Sequence, residues 1–496
     1  MAFVTMNAYD ADLRIPGFSG IMQYGDGINA DPRTAFESIN METAGGALRP
    51  SGACVLLAPS IPSTIETLAC LYRRWYSGSS DKTVLIAAAG GQLYYMVAGG
   101  SSWTQMPLPE GWSGEGYASN VWSFVAYEIN PEGSESPVDV LFLSNAQDGM
   151  VYIRGDNMTV ETVATPKRFG VIARYAERIW GGGIPDDPDM LVYSAPFNPL
   201  DWTANTEIPE DGAGDVMQPS WDGDSFHALK QLGPQLIAFK KNRIWRILNT
   251  DPSEYVFKEQ YGGGTELFNT IAVDRERILM LGENGVMQYD GLTAAPYYQE
   301  VCKNIFADMN LQALGQACAC IWNDVYYCAI PVGSTAYNNV VLMYNIRENT
   351  WLLRNDIVVE SFLPTDKKLY FTSHAAPGRI YEWGTDSWAS GAAVTPARWV
   401  GPWQDFQQKT VRKGGFDLYF TLEAKESGTL AVSIETESKL KEKEYAFTST
   451  TGVQAKQKRL HFGGTGRRFR LIISSAGSTA WRIIGGIQLR TEIDAD

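Results

Sequence analysis

Short runs of apolar and aromatic residues alternate with clusters of Gly, Pro, Asn and Asp along most of the chain. The two-residue period of strands dominates, and the spacing of amphipathic helices is rare. Glycine-containing turns join many of the runs, as at Gly90, Gly91 and Gly285, because glycine reaches the positive φ angles that tight hairpins need. The pattern therefore predicts an all-β protein built from antiparallel hairpins.

A strand–turn–strand unit recurs seven times, with starts near residues 83, 139, 177, 235, 276, 324 and 367. This spacing is typical of the four-stranded blades of a β-propeller, in which each sheet covers the faces of its neighbours. We therefore expect a propeller of six or seven blades. Tryptophans late in the units, such as Trp202 and Trp351, are expected to fill the space between neighbouring sheets. The alternative is a series of unrelated hairpins in a sandwich.

Helical spacing occurs in two places. Residues 303–317 carry apolar side chains at helical intervals and give the clearest prediction of a helix. A second, shorter helix is predicted within residues 63–71.

The repeats stop near Pro396, and the charge changes sign there. Residues 396–496 contain 16 Lys and Arg against 11 Asp and Glu, a net charge of +5. Because the whole chain carries −15, residues 1–395 carry −20. The last hundred residues alternate as five or more strands, which predicts a small antiparallel β-sandwich. We therefore divide the chain into an extended N-terminal arm (1–66), a β-propeller (67–395) and a C-terminal β-sandwich (396–496).

No signature of catalysis, metal binding or cofactor binding is found. The three histidines, His227, His374 and His461, lie in different units without metal-ligand spacing. Phosphate-loop, zinc-protease, serine-hydrolase and sialidase motifs are absent. Two acidic loops, 186–189 and 222–224, are either calcium ligands or solvated turns, and neither has the spacing of a known calcium loop. We therefore expect no enzyme activity, no catalytic residue, no metal site and no cofactor.

The apolar runs, the cysteines and the net charge constrain the cellular compartment and the class of partner. No apolar run approaches the ~20 residues of a membrane-spanning helix. The start of the chain lacks the basic and apolar regions of a signal peptide, so we expect the protein to fold in the reducing cytoplasm. The six cysteines are therefore expected to be free, mostly buried thiols. A strongly acidic chain is also poorly suited to gripping nucleic acid.

Several segments resemble a known family. The N-terminal segments at 18–20 and 45–52, the stretches 174–181 and 193–202, and the final strand at 481–489 are similar to those of propeller-type tail proteins of short-tailed bacteriophages. These are the tail hub or nozzle proteins, also called packaged-DNA stabilisation proteins. The chain departs from the family pattern at Ser51, where the family has an arginine.

The resemblance implies a structural virion protein without catalytic activity. It implies a homo-oligomer, a hexameric ring in the tail below the portal and adaptor, which contacts other tail proteins and lets DNA pass without sequence-specific binding. The protein would be made in the host cytoplasm and would not insert into a membrane. The alternative function is a propeller carbohydrate-binding protein or glycoside hydrolase. A third is a propeller scaffold for cellular protein complexes, which Gly90 and Gly91 with Trp103 favour weakly.

The charge asymmetry indicates which residues make contacts in such a ring. Subunits of a ring meet through two different surfaces, and opposite charge on those surfaces steers their association. The basic residues expected to contact an acidic surface of a neighbouring chain or tail protein are Arg467, Arg468, Arg470, Lys439, Lys441 and Lys443. The alternative is that they are simply solvated.

Overall fold

The computed structural model describes residues 11–24, 27–57, 60–74, 82–109, 122–131, 136–218, 223–249, 255–261, 263–384, 394–450, 457–477 and 479–494. Strands dominate these ranges, and the one α-helix within them, α1 (Lys303–Ala307), has five residues. The prediction of an all-β protein is confirmed.

Five short strands come from the N-terminal part of the chain. They are β1 (Ala11–Ile15), β2 (Glu37–Ile39), β3 (Met41–Glu42), β4 (Arg49–Pro50) and β5 (Val55–Leu57). β1, β2 and β5 each join a different sheet, and each of these sheets is otherwise built from residues more than 270 positions later in the sequence.

The next strands form consecutive antiparallel sheets. The first sheet holds β6 (Ile65–Tyr72), β7 (Thr83–Ala89), β8 (Gln92–Val97) and β9 (Thr104–Met106). The second holds β10 (Ser123–Ile129), β11 (Val138–Asn145), β12 (Gly149–Arg154) and β13 (Val160–Val163). The third holds β14 (Val171–Tyr175), β15 (Arg178–Gly182), β16 (Met190–Tyr193) and β17 (Gly214–Met217). The fourth holds β18 (Ala228–Leu232), β19 (Gln235–Phe239), β20 (Arg243–Leu248) and β21 (Val256–Tyr261).

Three further sheets follow in the same order. The fifth holds β22 (Ala272–Val273), β23 (Ile278–Gly282), β24 (Gly285–Tyr289) and β25 (Ala294–Pro296). The four strands of the sixth are β26 (Cys318–Trp322), β27 (Val325–Ile330), β28 (Val340–Asn345) and β29 (Thr350–Arg354). The seventh holds β30 (Ser361–Pro364), β31 (Leu369–Thr372) and β32 (Ile380–Glu382), and its fourth strand is β5, with Leu57 opposite Ile380.

One apolar cluster lies between each sheet and the next, which explains why the middle strands are apolar on both faces. β11, for example, is buried along its whole length, because the first sheet covers one of its faces and the third sheet covers the other. A further cluster joins the seventh sheet to the first through Leu363 and Ile380 on one side and Ile65 and Leu85 on the other. The arrangement of sheets packed face to face around a circle is that of a β-propeller.

The C-terminal strands form two sheets over one shared core. These strands are β33 (Ala397–Val400), β34 (Arg412–Ala424), β35 (Gly428–Thr436), β36 (Leu440–Phe447), β37 (Gln457–Gly466), β38 (Phe469–Ser475) and β39 (Trp481–Asp494). One sheet has the order β1-β39-β34-β37. The other continues the sixth sheet outward in the order β29-β2-β33-β38-β35-β36, so the short strand β2 connects the two parts of the chain.

The two helix predictions have different outcomes. The clearer one is confirmed in part, since α1 covers only Lys303–Ala307 of the predicted residues 303–317. The helix predicted within residues 63–71 is wrong, because residues 65–71 belong to strand β6. A bulge between Ile65 and Thr67 shifts the register and places Ile65 and Leu68 in the same cluster. Their three-residue spacing, which imitates a helix, therefore comes from the bulge.

The tryptophans lie where the repeat predicts them. Trp202 is in the cluster between the second and third sheets, Trp351 in that between the fifth and sixth, and Trp383 in that between the sixth and seventh. The space-filling role expected of them is confirmed.

Candidate interaction site at a basic sheet edge

Strand β36 is the last strand of its sheet and has a neighbour on one side only. Lys441 lies opposite Ile434 and Lys443 opposite Val432, and both β35 residues are buried. The two lysines thus lie on the core-facing side of the sheet, at an edge where water still reaches them. Inward-pointing lysines on an edge strand prevent uncontrolled strand pairing.

A carboxylate brings the remaining basic residues to the same edge. Glu437, in the turn before β36, accepts hydrogen bonds from the backbone N–H of Arg467 at 3.1 Å and of Arg468 at 2.8 Å. The turn that carries Lys439 is therefore tied to the turn between β37 and β38. Within the described residues, neither guanidinium has a carboxylate at ion-pair distance. We define the basic edge as Lys439, Lys441, Lys443, Arg467 and Arg468.

Arg470 does not share this environment. Its Nε donates to Glu435 Oε2 at 2.7 Å, and its guanidinium lies 4.7 Å from the centre of the Trp403 ring. The Arg470 side chain is partly buried, and its charge is balanced by Glu435 within the same sheet. Of the six predicted contact residues, the structure brings five to one edge and places Arg470 in an internal ion pair.

A second charged cluster, which the sequence analysis missed, lies on the outer face of β34 and β37. The Asp417 side chain is buried, and it accepts from Arg459 Nη2 at 2.7 Å and lies 3.0 Å from His461 Nδ1. Burial by itself would raise the pKa of Asp417, but the hydrogen bonds from Arg459 and His461 outweigh burial and hold that pKa below its usual value. The available signal was Arg459 and His461, which flank Leu460 and therefore lie on one face of a strand.

A titratable cluster lies between the seventh and first sheets. Glu66 Oε1 accepts from the backbone N–H of Gly90 at 3.4 Å, and Oε2 is buried without a hydrogen-bond partner in the described structure. Burial raises the pKa of Glu66 to about 7, and the Glu360 carboxylate adds to the increase. His374 Nδ1 lies 3.6 Å from Glu360 Oε1. No sequence motif marks this cluster, because it forms only when the last sheet meets the first.

The acidic loops considered as calcium ligands are engaged in ion pairs. Asp187 pairs with Lys167, and Asp189 pairs with the buried Lys240. Asp224 lies 3.2 Å from His227 Nε2, while residue 222 lies outside the described residues. Over the described ranges, no group of three or more His, Cys, Asp or Glu side chains is arranged to hold a metal ion.

The six cysteines are free thiols, four of them buried and two half-buried, as the sequence analysis expects. Burial raises the pKa of Cys70 to about 11, so this thiol is protonated at neutral pH. Among the helices of the described residues, none has the length and apolar character needed to cross a membrane.

No protein-family model matches this chain, and no curated protein matches it. Among solved structures, the WD40 domain of Pan2 from Neurospora crassa is similar over 68% of this chain and 95% of that one, with 11% identity and a TM-score of 0.38. BBS1N in complex with ARL6DN is similar over 68% of this chain and 98% of that one, with 9% identity and a TM-score of 0.40. BamB from Moraxella catarrhalis is similar over 76% of this chain and 99% of that one, with 8% identity and a TM-score of 0.35. At these values the likenesses carry no argument about function, and the fold assignment rests on the arrangement of sheets described above.

Proposed function

We propose that the chain is a structural virion protein, a ring-forming hub or nozzle of a bacteriophage tail below the portal and adaptor. In this proposal the seven sheets are the blades of a closed propeller, and the two C-terminal sheets form a β-sandwich. The proposed units are an arm (1–66), the propeller (67–395) and the sandwich (396–496). The order of the sheets and the shared C-terminal core support the propeller and the sandwich. Strand β5 of the arm completes the seventh sheet, and β6 begins at Ile65, just before the proposed boundary.

The observation that carries the proposal is the separation of charge within one folded chain. Residues 1–395 carry −20 and residues 396–496 carry +5, and the positive charge includes a solvent-exposed sheet edge. Subunits of a ring meet through two different surfaces. Opposite charges on those surfaces steer the encounter and disfavour wrong pairings. A chain that is charged in this way is suited to head-to-tail assembly.

The same charge suits a DNA conduit. An acidic wall repels the phosphate backbone, so the duplex passes without being held. The proposed ring, a hexamer, contacts the portal, the adaptor and other tail proteins. It needs no catalytic centre and no cofactor. The protein is made in the host cytoplasm and resides in the virion tail.

The mass and symmetry of the purified chain test the proposal. We expect light scattering to give a multiple of the 54.8 kDa chain mass and negative-stain images to show rings with an axial opening. A chain that stays monomeric at every concentration and salt level contradicts the ring. A stable monomer that binds a glycan array favours the carbohydrate-binding alternative.

A double charge reversal tests whether the arginines of the basic edge take part in assembly. Arg467→Glu with Arg468→Glu should slow assembly most at low salt, because exposed interface charges act mainly on the association rate. The matched control reverses Lys303 and Lys367, which are exposed elsewhere. Equal assembly rates and equal salt dependence in the two variants would rule out a role for these arginines.

A further inference from the structure

The loop between β16 and β17 of the third sheet exposes large apolar side chains. Phe197 is 76% exposed, Ile208 51% and Leu200 36%. Exposed apolar side chains that are grouped on one element and rimmed by polar residues mark interaction surfaces.

Hydrogen bonds from Arg178 and packing of Trp202 anchor the loop to the rest of the sheet, so the positions of its apolar side chains are fixed. The buried Arg178 donates to the carbonyl oxygens of Ser194 at 2.7 Å and Gly212 at 2.6 Å, and also to that of Glu210. Trp202 is buried and packs on Phe169, with ring centres 5.1 Å apart. A surface that is already rigid loses little conformational entropy when a partner binds.

The charge around the loop is of one sign. Between Arg178 and Lys230 the sequence has ten acidic residues and neither lysine nor arginine. Glu207, Glu210 and Asp211 are exposed at the loop, and within the described structure none of them has an ion-pair partner. The acidic loop surface is defined here as Phe197, Leu200, Glu207, Ile208, Glu210 and Asp211.

The basic edge has the complementary composition. Lys441 and Lys443 project to one side of β36, with Lys439 in the preceding turn, whereas Leu440, Glu442 and Glu444 project to the opposite side. The cations of the edge match the carboxylates of the loop, and the aliphatic stems of the lysines match its apolar side chains. Both surfaces are exposed in the same folded chain, so they are free to meet between two chains.

We infer that the basic edge of one copy docks on the acidic loop surface of a second copy. The lysines and arginines would face the carboxylates of the loop, and the aliphatic stems of the lysines would lie against its apolar side chains. The inference rests on the proposed ring-forming function and names the two surfaces that meet. The contact is heterologous, so repeating it closes a ring or extends a filament.

Two matched triple variants test the pairing. The edge variant carries Lys439→Glu, Lys441→Glu and Lys443→Glu. The loop variant reverses the opposite signs, with the substitutions Glu207→Lys, Glu210→Lys and Asp211→Lys. The control variant reverses three exposed carboxylates of the fifth sheet and its flanking turn, Glu276→Lys, Glu283→Lys and Glu300→Lys.

Sedimentation velocity at low salt measures the association, and thermal unfolding verifies that each variant is folded. We expect each triple variant to associate about tenfold more weakly than the natural chain, or worse, because three charge pairs become repulsive. Mixing the two variants in equal amounts should restore assembly, because each then meets a complementary surface on the other. The control variant should assemble normally.

The outcomes separate the inference from the proposed function. If the natural chain forms rings and both triple variants form them equally well, the pairing is overturned while the ring stands. If both variants lose assembly and the mixture does not recover it, the pairing is also overturned. If the natural chain never associates, both fail. A neutral variant, Phe197→Ser with Ile208→Ser, should weaken assembly at high salt as well, and its unchanged association there would contradict the apolar part of the contact.

Discussion

The Glu66 cluster makes the stability of the propeller depend on pH. The carboxyl of Glu66 has a pKa of about 7 in the folded chain against an ordinary value of 4.5. Between these values the unfolded chain releases a proton that the folded chain keeps. The free energy of unfolding therefore falls as the pH rises from 4.5 towards 7, and it changes little above 7 as far as this group is concerned.

The size of the effect follows from the two pKa values. The full difference would amount to roughly 3 kcal/mol at ~1.36 kcal/mol per pH unit. Glu66 is half-buried, so solvent screens part of the interaction and we expect about 1–2 kcal/mol. Glu66→Gln keeps the shape of the protonated side chain and removes the charge. The variant should match the natural chain at pH 4.5 and exceed it in stability by that amount at pH 8.

Urea unfolding followed by tryptophan fluorescence at pH 4.5, 6, 7 and 8 measures the difference. Glu283→Gln, at an exposed turn of the fifth sheet, is the control for removal of a carboxylate. If the difference between Glu66→Gln and the natural chain is the same at pH 4.5 and pH 8, Glu66 does not change its ionisation on folding, and the reasoning is refuted.

Three further predictions concern packing and the sheet edge. Replacing Lys441 and Lys443 by Val should leave the fold intact but cause concentration-dependent aggregation, seen as light scattering, because the edge strand loses its protection; scattering equal to that of the natural chain would contradict this. Arg470→Ala should lower the free energy of unfolding by about 1–2 kcal/mol in urea, through loss of the pair with Glu435, without changing the salt dependence of assembly; a changed salt dependence would place Arg470 in the interface. Ile380→Ala should cost about 2–4 kcal/mol in the same assay, because the side chain is buried where the seventh sheet meets the first; a loss below 1 kcal/mol would show that this contact contributes little.

The sequence by itself determines the local structure of this chain. Alternating apolar residues and glycine turns predict the hairpins, as in β19 and β20, where both strands and the turn between them lie where the pattern places them. Each hairpin buries its apolar residues against near neighbours in sequence, so periodicity is enough to reveal it. The change in charge near Pro396 also follows directly from residue counts.

Other local features depend on contacts that periodicity does not record. Strand β36 has exposed residues on both faces, so it lacks the alternation that marks a strand, and it is a strand because β35 supplies its hydrogen bonds. The spacing of Ile65 and Leu68 predicted a helix, since a bulge in a strand and a helical turn place apolar residues at the same interval.

Only the tertiary structure decided which distant segments meet. The last sheet takes strand β5 from the beginning of the chain, and β2 links the sixth sheet to the C-terminal part. Backbone hydrogen bonds are chemically alike at every strand edge, so the sequence of a short strand does not name its partner. The same holds for charge: Arg467 and Arg470 look equivalent in sequence, but Arg470 lies beside Glu435 while the guanidinium of Arg467 faces water. The burial and the ion-pair partners of these residues are fixed by the packing of strands that are far apart along the chain.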